Sequence, residues 1–169
     1  MASSNPTAAN LDARQDAFVH ACAALTGFTP FDILGTGLVR QHLDFVTAVA
    51  GVDAIDELTD RIAALPPDEP ARDRAMRSTI LADEWLGPIA RSLIKLWYVG
   101  TWFALPPEWQ ARYGVSPLDV TTIPSSESYV EALVWLAIGA HPPGAKQQGF
   151  GAWAEPPGGG TIALVRHRR

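Results

Sequence analysis

The chain has 169 residues, 47% of them hydrophobic and only 18% charged, with a formal net charge of −5. That length fits one domain able to bury about 70% of its unfolded surface, and the hydrophobic content excludes the disordered class. The acidic balance excludes a nucleic-acid interface: the only locally basic run is Arg166-His167-Arg168-Arg169, which reads as a solvated tail.

Residues 1–11, small and polar, read as a disordered N-terminal arm. Residues 12–139 read as one helical domain of five to six helices. Phe18, Ala21, Cys22 and Leu25 recur at helical spacing, and Gly27 suits the terminating position. Thr29-Pro30 offers an N-cap followed by proline at the first helical position. The rhythm of Leu34, Leu38, Phe45, Val46 and Val49 predicts a second helix to about Ala50, running through Gly35 and Gly37. Val52–Leu65 predicts a third, stopped by Pro66-Pro67. Pro70 opens a fourth to about Trp85, and Gly87-Pro88 breaks or kinks the chain. The segment Ile89–Phe103 is apolar on most sides, which predicts burial in its own domain or under another protein. Val120–Ile123 reads as a short strand or an extended segment, and Glu127–Gly139 as a last helix. Residues 140–169 carry Pro-Pro-Gly runs and no regular pattern, which predicts an irregular, extended C-terminal arm.

No constellation with the spacing of a catalytic or metal site is visible. Cys22 is the only cysteine and lies on an apolar helical face; His20, His42, His141 and His167 are scattered. The pairs Asp53/Glu57 and Asp56/Asp60 read as a solvated helix face. Gly35-Thr36-Gly37 after Phe31–Leu34, with Asp56 about 20 residues on, faintly matches a dinucleotide fingerprint, but Arg40 stands where the third glycine belongs. A small nucleotide-binding protein is therefore one alternative. A general interaction or scaffold module is another. No apolar run is long enough to span a bilayer, so no direct membrane insertion is expected.

The aromatic residues point to a partner. All six tryptophans (Trp85, Trp97, Trp102, Trp109, Trp135, Trp153) lie in the second half. Between Tyr129 and Val165 the charged residues are Glu131, Lys146 and Glu155 alone. Uncharged aromatic segments match the centre of protein interfaces. The residues expected to meet a partner are Trp97, Tyr98, Tyr129, Trp135, Phe150, Trp153 and Pro156, with Trp97 and Tyr98 alternatively forming the chain's own core. An arm of this length can equally wrap back over its own helices.

Three sets of residues carry a family likeness. Leu25-Thr26-Gly27, Leu34, Gly37 and Leu43 fall within the first; Leu96-Trp97-Tyr98-Val99-Gly100 forms the second; Tyr129-Val130-Glu131-Ala132-Leu133 with Trp153-Ala154-Glu155-Pro156 forms the third. Their order and spacing, from about residue 15 to 157, resemble the small (gamma) subunits of bacterial FAD-dependent sugar and sugar-alcohol dehydrogenases, such as the glucose, fructose and sorbitol enzymes. The resemblance implies a helical subunit with no cofactor and no catalytic residue of its own. Its implied partner is a large FAD-containing subunit of the glucose-methanol-choline type, which oxidises the sugar and passes electrons to a cytochrome subunit or another acceptor. The implied role of the small subunit is maturation and stabilisation of the large one. Family members typically carry a twin-arginine leader; Met1–Asn10 shows none, and Leu136–Gln148 departs from the Val/Ile-rich stretch usual there. The expected location is the periplasm if a leader was trimmed or the partner supplies one, and the cytoplasm otherwise.

Overall fold

The computed structural model describes residues 6–114 and 116–142, and they form a mainly α-helical body. The helices are α1 (Pro6–Thr26), α2 (Pro30–Gly35), α3 (Val39–Ala50), α4 (Val52–Ala63), α5 (Glu69–Ala75), α6 (Leu86–Val99), α7 (Pro107–Tyr113), α8 (Ser126–Val130) and α9 (Leu133–Ala137). A π-helical turn, Met76–Leu81, continues α5. Among the described residues the only β pairing is an isolated antiparallel bridge between Trp102 and Thr122.

Among the described residues several of the predicted helices divide into shorter ones, whereas α1 is longer than its apolar rhythm predicts. α1 begins at Pro6, so residues 6–11 belong to a helix and not to an arm. The helix opened by Thr29 is capped as expected: its hydroxyl accepts from the Asp32 amide at 3.2 Å, and Asp32 accepts from the Thr29 amide at 3.0 Å. It does not run through the glycines. The Thr36 hydroxyl donates to the Ile33 carbonyl, and Gly37 takes a left-handed φ of +70°, so the chain turns before α3. The turn buries Leu38 and Val39 while leaving Leu34 57% exposed. The last predicted helix likewise divides into α8 and α9, separated by extended backbone at Ala132 (ψ 136°).

α6 is the hub. Leu86, Ile89, Ala90, Leu93, Leu96 and Trp97 are buried within this chain, in one core with Phe18, Cys22, Leu43, Val46, Ile55, Leu58 and Ile80. Each large side chain so buried stabilises the fold by about 1.5–3 kcal/mol. Asp83 caps the start of α6, accepting from the Trp85 and Leu86 amides at 2.8 Å each. The π turn leaves the Leu81 carbonyl for Arg91, which donates to it at 2.5 Å.

The loop after α6 is pinned by a buried carboxylate. Asp119 is 6% exposed and accepts from the Trp102 indole (3.0 Å), the Leu105 amide (3.0 Å) and the Gln110 amide side chain (2.8 Å). Residues 101–123 thereby close over the C-terminal end of α6.

Candidate partner-binding surface

Two regions matter: a buried node where distant segments meet, and an exposed groove beside it. The node lies at the end of α6. Trp97 is 1% exposed, its indole N–H pointing to the Cys22 sulfur at 3.1 Å and its ring packed against Phe18. It therefore belongs to the core and presents nothing to a partner. Tyr98 is half-buried; its hydroxyl donates to the Thr26 carbonyl at 2.8 Å and its ring meets Phe28 edge-on. Tyr98 thus ties α6 to the end of α1.

On the other side of Trp97 lies His42, 0% exposed, its ring 4.5 Å away edge-to-face. His42 Nε2 is 3.2 Å from the Ser128 hydroxyl, which in turn is 3.1 Å from Ser125 Oγ. His42 Nδ1 has no hydrogen-bond partner among the described residues. The proton is best held on Nε2, where an acceptor exists. Burial lowers the His42 pKa to about 4, so the ring is neutral. Burial also pushes the Cys22 thiol far above its ordinary range, opposed by the Trp97 hydrogen bond, which makes it an inert hydrophobe.

Gly100 completes the node. It ends α6 in the left-handed conformation, φ +70°, directly against the backbone of α8: a Cβ there would lie 2.8 Å from the Tyr129 Cα. The Leu96–Gly100 segment thus touches both Thr26 and Tyr129, which lie about a hundred residues apart.

The groove runs between α2 and α8–α9, about 340 Å³ in volume. Phe31, Gly35 and Thr36 form one wall; Val130, Leu133, Trp135 and Leu136 form the other; Ala140, His141 and Pro142 close one end. Tyr129 and Trp135 make one unit, with rings edge-to-face at 5.4 Å and the Trp135 indole donating to the Tyr129 carbonyl at 2.8 Å. Of the lining residues Phe31 is 82% exposed and Leu136 59%. Exposed large apolar side chains of this kind make the groove a candidate interaction surface. Asp32 and Glu131 supply its negative charge; the Thr29 hydroxyl and amide hold the Asp32 carboxyl below the usual carboxylate range.

Of the seven residues expected at an interface, Trp135 lines this groove, Tyr129 packs on Trp135 without lining it, Tyr98 supports the node, and Trp97 is core. Phe150, Trp153 and Pro156 lie outside the described residues. Phe31, Leu34 and Ile138 went unremarked as surface residues, since helical rhythm alone assigns Leu34 to a core.

The other candidate constellations are surface or structural features. Phe31–Leu34 is helical, so the Gly35-Thr36-Gly37 segment lacks the preceding strand that a dinucleotide fingerprint requires. Asp56 pairs with Arg14 at 2.9 Å, and Glu57 with Arg61 at 2.6 Å. Among the described residues no helix is long and apolar enough to cross a membrane. Comparison with protein-family models, with curated proteins and with solved structures finds no match in any of the three.

Proposed function

We propose that this chain is a non-catalytic small subunit that binds, stabilises and helps mature a large FAD-dependent sugar or glycoside dehydrogenase of the glucose-methanol-choline type. The observation that carries the reading is the node. Parts of the three segments that resemble the gamma subunits meet there: Thr26 bonds Tyr98, and Gly100 abuts Tyr129.

In this reading the groove beside the node, with Phe31, Trp135 and Leu136 exposed or half-exposed, faces the large subunit. Aromatic anchors in an apolar groove are the usual energetic centre of such contacts. The flavin and the sugar site belong to the partner, and electrons leave the complex through a cytochrome or another acceptor.

The test is co-purification from the native cell followed by chemistry. The tagged chain is expected to bring down a large protein with flavin absorbance and sugar-dependent dye reduction. The chain alone is expected to show neither. A well-folded chain that captures no flavoprotein overturns the proposal, and an unrelated partner in its place favours a general scaffold module.

A further inference from the structure

The chain leaves the groove at its own rim. Ala140, His141 and Pro142 line one end, and residues 143–169 follow directly. Phe150 and Trp153 are eight and eleven residues beyond Pro142, a reach of at most about 28 and 40 Å at full extension. Either can therefore return to the groove, whose 340 Å³ is of the size of one or two aromatic side chains.

The chemistry of the two parts matches. The groove walls are apolar with carboxylates Asp32 and Glu131 among them. The segment 143–154 carries one charged residue, Lys146, and it is a cation placed before the two aromatics. A tether this short keeps the segment at an effective concentration in the millimolar range, so a modest contact suffices to fill the groove.

We propose that the groove between α2 and α8–α9 is the seat of this chain's own Phe150–Trp153 segment, which docks there in cis. The partner then meets a composite surface of groove and arm. The ordering entropy of the arm is met within the subunit and not at association, which is how pre-organisation raises affinity. The inference deepens the small-subunit reading, but its test uses the isolated chain, so that the failure of one is told apart from the failure of the other.

The test is disulfide trapping in the full-length chain. Leu136→Cys lines the groove and Ala152→Cys sits between the two aromatics, leaving both in place. Native Cys22 is buried and gives no background. Under a mild oxidant this pair is expected to close within the monomer about tenfold faster than a control pair of Asp53→Cys on α4 with Ala152→Cys. Phe150→Ser with Trp153→Ser is expected to abolish that advantage. Shortening the chain after Pro142 is expected to raise binding of an apolar dye several-fold while the helical circular dichroism persists. Closure no faster than the control overturns the proposal. So does a covalent dimer, which would make a second copy the occupant, and so does closure that occurs only with the flavoprotein bound.

Discussion

Gly100 and Ser128 touch through their backbones. A side chain on Gly100 would meet the Ser128 carbonyl group, its carbon at 2.6 Å, before it met anything that can move aside. Gly37 shares the same φ of +70° but has nothing within 4 Å of its Cβ position. The two glycines therefore separate conformational cost from contact. Gly37→Ala is expected to cost about 1–2 kcal/mol, the price of a left-handed alanine. Gly100→Ala carries that cost plus overpacking of about 1–3 kcal/mol. Urea unfolding of both variants checks the difference. Equal losses would mean that the helix end and α8 are not in contact.

His42 sets a pH dependence. In the unfolded chain its pKa is near 6.5, and in the fold burial lowers it to about 4. The unfolded state thus takes up a proton first as the pH falls. Stability is unaffected above pH 7 and is lost progressively between about 6.5 and 4, by about 1.4 kcal/mol per pH unit at most. The full loss is about 3 kcal/mol. Asp32, Asp83 and Glu127, whose carboxyls are held low by their hydrogen bonds, add their own losses only at the acid end of this window. Urea melts at pH 7.5 and 5 are expected to differ in the native chain and to differ much less in His42→Asn.

Asp119 accepts from three donors and meets no cation among them. Asp119→Asn replaces one accepting oxygen with an NH2 facing donors, which leaves buried groups unmatched at about 1–3 kcal/mol. Hydrogen exchange is expected to quicken at the Leu105 amide and across residues 101–123, with α1 and α4 unchanged. Uniform quickening would place Asp119 in the global core instead.

Phe31 touches solvent over 82% of its surface, so its replacement has little folding cost. Phe31→Glu is expected to leave the melting temperature within about the change given by 0.5 kcal/mol. If the groove face binds the large flavoprotein, the same variant weakens co-purification about 100-fold, the loss of one buried aromatic anchor. Titration of the purified complex checks it.

The helical class, Thr29 as a cap, Gly27 as a terminator and the span of α4 were legible from apolar rhythm and turn chemistry. What the rhythm hides is where a helix stops without losing its pattern. Leu34 and Leu38 are four apart and look like one face, yet the Gly37 turn sends Leu38 inward and Leu34 outward. Pro6–Leu11 lacked apolar spacing, so nothing local marked it as part of α1. The tryptophans were ambiguous in another way. Trp97 could be read as interface or as core, and the fold makes it core; Trp97, Trp102, Trp109 and Trp135 each find a hydrogen-bond partner for the indole within the chain. Composition cannot tell a tryptophan with an internal acceptor from one waiting for a partner. The groove was only half visible: Tyr129 and Trp135 stood out by type, whereas Phe31 joins them only through the fold.

The node also dictates an order of assembly. α8 docks on a surface that does not exist until His42 of α3 and Gly100 at the end of α6 have come together. The contacts that hold it span 86 residues of sequence between His42 and Ser128, so loop closure delays them relative to the local helices. The wall of the groove that α8 and α9 provide thus rests on contacts of high sequence separation. A large partner that recognises this face would be sampling, in effect, a certificate of completed folding, and would pass over subunits still on the way.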